Sequence, residues 1–179
     1  MYRRILVPVD GSATSSQGLQ EAIALASLCG AQLRLVHVVD EMSLALAMDA
    51  YSSHVGDWLE VLREGGQKIL EQAVGTARAA GIEAESCMFD SLVGSINDLI
   101  LAEARRWNAD LIVLGTHGRR GPTRWVLGST AENIVRRAPV PVLLVRAPSD
   151  VASGAEEDGS SSRDDTANAS APAQALAGG

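Results

Sequence analysis

The chain has two cysteines, one lysine and no long hydrophobic run, and each shortage removes a class of protein. Cys29 and Cys87 share no CxxC spacing, so they supply neither a disulfide framework nor a four-ligand zinc site. Both are expected to be small buried apolar residues. No stretch approaches the roughly 18 apolar residues that mark a membrane-spanning helix. At the amino end Met1-Tyr2-Arg3-Arg4 leads only into the short run Ile5 to Val9, which is not a signal-peptide core, and cytoplasmic residence is the expectation. Lys68 stands outside any GxxxxGK[ST] sequence, which excludes a P-loop nucleoside triphosphatase. GxGxxG, GxSxG and HExxH are also missing, so ordinary hydrolase chemistry has no signature.

What is there has the balance of a folded protein. Of 179 residues 46% are hydrophobic and 21% charged, which points to one core with an appendage. The net charge of −7 is uneven. Residues 147–179 carry six acids and one base, leaving only −2 for residues 1–146. A nearly neutral body gives little electrostatic warrant for a nucleic-acid partner. The segment 147–179 is rich in Ala, Ser, Gly, Asp and Glu, and beyond Val151 its one large aliphatic residue is Leu176. It cannot bury enough apolar surface to offset its ordering entropy, so a disordered acidic tail is expected.

Within residues 1–146, strand and helix patterns alternate. Ile5 to Val9 reads as a buried strand stopped by Asp10-Gly11-Ser12. Leu19, Ala22, Ile23, Ala26 and Cys29 then follow helical spacing, with Ser12 to cap the start and Gly30 to close the end. Leu33 to Val39 is a second buried strand, and residues 40–55, without a clean period, are read as a loop. Leu59, Leu62, Gly66, Ile69, Ala73, Ala77 and Ala80 trace a long helical stripe running from Trp58 to a stop at Gly81. Residues 82–89 alternate like an edge strand. Ser95-Ile96-Asn97-Asp98 has capping-box form, opening a helix that stops at Asn108. Asp110 to Leu114 is a buried strand, Ser129 to Arg137 a helix with the capping-box sequence Ser129-Thr130-Ala131-Glu132, and Val140 to Val145 a last strand whose proline suits an edge or a strand start. Such alternation requires right-handed crossovers, hence an α/β, doubly wound, mostly parallel sheet with helices on both faces. Ligands then sit beyond the carboxyl ends of the strands, where strand order reverses.

Two strand ends carry unusual residues. Asp10-Gly11-Ser12 offers a carboxylate beside a helix start, and Gly115-Thr116-His117-Gly118 is followed, nine residues later, by Gly128-Ser129-Thr130 opening a helix. The glycines admit a ligand close to the main chain, and the helix start supplies unpaired amides with partial positive charge. Arg119, Arg120 and Arg124 add counter-charge, and the hydroxyls of Ser129 and Thr130 add donors, so a phosphate cradle is the reading. Each residue also has a plainer role open to it. Ser129 could be a helix cap paired with Glu132, Asp10 could cap the first helix or set its turn, and the arginines could be solvated loop charges. His37 is read as a structural strand residue, His117 as positional, and Trp58, Trp107 and Trp125 as packing groups; none of the three histidines is assigned catalysis.

The pattern Gly115-x2-Gly118-x9-Gly128-Ser129 resembles the ATP-binding motif of the universal stress protein family. The flanking segments ILVPVDGS at 5–12, LVHVVD at 35–40, ADLIVLGTHGRRG at 109–121 and APVPVLLVR at 138–146 are similar to it in the same order. The resemblance implies a Rossmann-like five-stranded sheet of order 3-2-1-4-5, dimeric through its last strand, with ATP across the first and fourth strands. It implies that Asp10 and the backbone of Val38 hold the nucleoside, with a backbone contribution from Pro8. Gly115 and Gly118 would lie along ribose and phosphates, and Gly128, Ser129 and Thr130 would grip the phosphate chain. Magnesium would ride on the phosphates, for no dedicated protein cage is visible. The expected function is that of a nucleotide-dependent regulatory module in a stress response with an unknown protein partner. A slow ATP-hydrolysing or phosphotransfer enzyme and a nucleotide-free dimeric scaffold are the alternatives.

Overall fold

Ile5, Leu6 and Val7 are all fully buried, which requires a strand covered on both faces. In a computed structural model of the chain, which describes residues 1–40, 55–91, 94–116 and 128–146, that strand is central. The elements run β1 (Arg4–Pro8), α1 (Ala13–Cys29), β2 (Gln32–Val39), α2 (Val55–Ala79), β3 (Ala84–Asp90), α3 (Ile96–Arg106), β4 (Leu111–Gly115), α4 (Ser129–Arg137) and β5 (Val142–Val145). They form a five-stranded sheet of order β3-β2-β1-β4-β5 with every pairing parallel; the alternation predicts the parallel pairing and the resemblance the order.

Strand alternation divides the core into two layers. Ile5, Val7, Leu33, Leu35, Leu111 and Val113 pack with Leu19, Ala22 and Ala26 of α1 and with Leu70, Ala73 and Ala77 of α2. Leu6, Val36, Ile112 and Leu114 pack on the other side with Ile100, Leu101 and Ala104 of α3 and with Ala131 and Ile134 of α4. Predicted element ends are largely kept. The Ser12 side chain accepts from the Ser15 amide, Gly30 closes α1 at φ 66°, Gly81 follows α2 at φ 74°, and Ser95 accepts from the Asp98 amide. Pro141 stands just before edge strand β5, its carbonyl accepting from the Ile112 amide at 3.0 Å.

Three expectations are corrected. Gly128, not Ser129, is the N-cap of α4, and Glu132 pairs with Arg136 at 2.9 Å instead of completing a capping box. Cys29 and Cys87 are only half-buried, because one ends α1 and the other lies on edge strand β3. Ala80 is exposed past the end of α2, and Leu70 takes the inward position. The segments 41–54, 117–127 and 147–179, hence most of the predicted loop 40–55, His54 and the acidic tail, lie outside the described residues, and α2 opens at Val55, ahead of the predicted start at Trp58.

At the amino ends of the strands, a buried carboxylate sits between two arginines. Glu103 of α3 is 2% exposed and accepts from Arg34 Nη1 at 2.6 Å and from Arg106 Nε at 2.7 Å. Arg34 also pairs with Glu85 and lies 4.9 Å from the Trp107 ring centroid, so Trp107 packs as a cation–π partner. Burial alone would push the Glu103 carboxyl up, but the hydrogen bonds and charges of Arg106 and Arg34 outweigh it and hold it below the ordinary carboxylate range. A carboxyl whose folded pKa is depressed contributes stability that is present above its unfolded value, about 4.3, and lost as pH falls through the lower folded value. Glu103→Gln is therefore expected to lose less urea stability than the parent chain between neutral pH and about pH 3. Glu103→Ala, which leaves Arg34 with Glu85 as its remaining carboxylate partner, is expected to cost about 1–3 kcal/mol in urea unfolding at pH 7.

Candidate functional site

The central ladder of the sheet is incomplete at one end. β1 stays paired with β2 as far as Pro8↔Val36, and β4 with β5 as far as Gly115↔Val145. Between β1 and β4 the ladder covers only Ile5↔Leu111 and Leu6↔Ile112. The two central strands thus part toward their carboxyl ends, and the chain leaves β1 for a helix on one face and β4 for a helix on the other. That is the position at which an open α/β sheet offers a ligand crevice.

On the β1 side of the parting, the chain turns sharply at Gly11, whose φ is 79°. Asp10 Oδ1 accepts from the Ser12 amide at 2.9 Å, and the Asp10 amide donates to Ser15 Oγ at 3.1 Å. Asp10 therefore sets the turn, while Ser12 is the residue that caps α1. The turn uses one carboxylate oxygen and fixes the direction of the other. Val38 stands two residues beyond the β2 partner of Pro8, as Asp10 stands two beyond Pro8 itself.

On the β4 side, the lack of a side chain at Gly115 serves packing. A Cβ there would lie 2.8 Å from both the carbonyl carbon and the carbonyl oxygen of Thr14, so α1 crosses directly over the end of β4. Thr116 follows, buried, with its amide donating to the Val145 carbonyl at 2.9 Å and its carbonyl accepting from the Gly128 amide at 2.9 Å. This last bond brings the start of α4 to the end of β4. Thr116 was not singled out from sequence, although it lies inside the Gly115-Thr116-His117-Gly118 text. Gly118 and Arg119, Arg120 and Arg124 fall outside the described residues, as do His117 and Trp125.

α4 begins unlike α1 and α3. Gly128 makes no side-chain cap bond, and the first helical bond runs from the Glu132 amide to the Gly128 carbonyl at 2.9 Å. The amides of the first turn thus receive no cap from the residue that precedes them, and the exposed Ser129 and half-buried Thr130 add hydroxyls there. Pro8, Asp10, Val38, Gly115, Gly128, Ser129 and Thr130 accordingly all lie at the carboxyl end of β1, β2 and β4 or in the start of α4. Chemically, the arrangement can accept donors at Asp10 and donate to an anion at α4. Among the described residues no group of three His, Cys, Asp or Glu side chains could hold a metal ion, and no helix is long and apolar enough to cross a membrane.

Residues 1–146 match the family model described as the universal stress protein family. A curated universal stress protein of Methanocaldococcus jannaschii is 33% identical over 151 residues, covering 83% of this chain and 84% of its own. The solved structure of a universal stress protein from Lactobacillus plantarum superposes with a TM-score of 0.70 at 27% identity, over 81% of this chain and 98% of that one. A universal stress protein of Archaeoglobus fulgidus in complex with dAMP shares the fold, with a TM-score of 0.57 at 24% identity over 80% of this chain and 98% of its own.

Because Ser129 follows the cap instead of forming it, Ser129→Ala is expected to change stability by less than about 0.5 kcal/mol in thermal unfolding. Gly115→Ala drives a methyl group into the Thr14 backbone and is expected to cost about 1–3 kcal/mol in the same measurement.

Proposed function

The chain belongs to the universal stress protein family, and on that premise we propose that it binds an adenine nucleotide, ATP with magnesium, where β1 and β4 part. The single observation that carries this reading is the join between β4 and α4. A helix start without a side-chain cap is hydrogen-bonded through Gly128 to Thr116, beside the one gap in the central ladder. Its first-turn amides and the hydroxyls of Ser129 and Thr130 are suited to phosphate oxygens.

In this reading Gly128, Ser129 and Thr130 hold the phosphates, with Gly115 and Gly118 along the ribose and phosphate chain. Asp10 accepts from nucleoside hydroxyls, and the backbones of Val38 and Pro8 flank it. The magnesium ion would be carried by the phosphates, whose charge it would partly neutralise. The output is a change of surface. Nucleotide bound at the end of β4 shifts the population of a binding-competent form by no more than the difference in nucleotide affinity between states. Dimerisation through β5 belongs to the same proposal and is supported by its edge position and by the exposure of Leu143 and Val135.

Calorimetric titration with ATP and magnesium tests the reading. The parent chain is expected to bind saturably, and Gly118→Ala to lose binding while circular dichroism shows it folded. Ser129→Ala is expected to bind about tenfold more weakly, the worth of one hydrogen bond to a charged group. Absence of both heat and thermal shift with ATP, ADP, AMP and cyclic AMP would overturn it in favour of a nucleotide-free scaffold.

A further inference from the structure

We infer that His37 is a positioning residue for the β1 side of this crevice, through which the packing of α2 controls nucleotide affinity; the inference rests on the nucleotide reading above. β2 turns Leu33 and Leu35 toward the α1–α2 layer, and alternation places His37 on the same side. There it is 6% exposed, and its Nδ1 lies 2.7 Å from the Val9 carbonyl oxygen. A carbonyl only accepts, so Nδ1 carries the hydrogen. The Val9 amide in turn donates to the Val36 carbonyl at 2.8 Å. Both backbone groups of Val9 are therefore held by β2, one residue before Asp10. This hold matters because β4 no longer pairs with β1 beyond Leu6.

The ring is braced from behind by a glycine. A Cβ at Gly66 of α2 would lie 2.7 Å from His37 Cδ2, 3.0 Å from Nε2 and 3.1 Å from Met88 Sδ. A glycine inside a helix costs about 1 kcal/mol relative to alanine, and the room it leaves for the imidazole explains its presence. Gly65, its neighbour in sequence, has nothing within 4 Å of the same construction and provides an internal control. A continuous contact path thus runs from α2 through Gly66, His37 and Val9 to the Asp10 turn.

The test combines magnesium-ATP titration with amide hydrogen exchange at Asp10 and Ser12, at a temperature where circular dichroism shows every variant folded. His37→Leu removes the donor and is expected to weaken binding roughly five- to tenfold and to speed exchange at these amides by a similar factor. His37→Asn places an amide nitrogen close to the position of Nδ1 and is expected to restore both to within about threefold of the parent. Gly66→Ala is expected to act like His37→Leu, Gly65→Ala to leave affinity unchanged, and Gly66→Ala to lose most of its effect in the His37→Asn background, where the clashing ring atoms are absent. Binding in His37→Leu equal to the parent, or equal effects of the two glycine substitutions, would overturn the inference. A parent chain that binds no adenine nucleotide overturns the functional reading instead. Exchange at Asp10 and Ser12 then still decides the positioning role, and rates that do not differ between the parent and His37→Leu refute it.

Discussion

Everything at the candidate site follows from the way β1 and β4 are joined at one end and separate at the other. At their amino ends the two strands are tied by a single carboxylate. Asp110 accepts from the Arg3 amide at 2.8 Å and from the Arg4 amide at 3.1 Å, and its own amide donates to the Arg4 carbonyl at 2.9 Å. Toward the carboxyl ends the ladder stops after Leu6 and Ile112, because the chain must leave for opposite faces of the sheet. In a parallel sheet whose helices switch sides, the crevice lies outside the carboxyl ends of the two central strands, and here the short β1–β4 ladder adds to it.

The two ends of the sheet are held by different kinds of polar contact. Glu103, Arg34, Arg106 and Trp107 close the amino end with a buried carboxylate held by two arginines, one of them exposed, and a stacked guanidinium. At the carboxyl end the polar groups are held by turns and backbone bonds: Asp10 by Ser12 and Ser15, Thr116 by Val145 and Gly128. These bonds fix the turn after β1 and the join between β4 and α4.

Much of this architecture was legible in the residues. Runs such as Leu33 to Val39 announced strands buried on both faces, and Ser12, Ser95, Gly30 and Gly81 marked helix ends by local chemistry alone. Where reading failed, a neighbour distant in sequence had decided the matter. Ser129-x-x-Glu132 has the form of a capping box, yet the bond between Gly128 and Thr116 sets the helix start one residue earlier, and Arg136 takes the glutamate. Cys87 reads as a core residue, but it falls on an edge strand beside Arg106. The absent side chain of Gly115 also admits the backbone of Thr14, a neighbour about a hundred residues away that local pattern could not reveal.

The sequence by itself determined the order and kind of the elements, the parallel doubly wound class and the candidate phosphate-binding text, because period, caps and turn residues act over a few positions. Only the tertiary structure decided which polar groups meet across long separations. Glu103 with Arg34 and the bracing of His37 by Gly66 arise when strands and helices far apart in the chain are brought to one point. Local pattern carries no record of such a meeting, since a glycine or glutamate on a helix face looks the same until the surface it packs against is known.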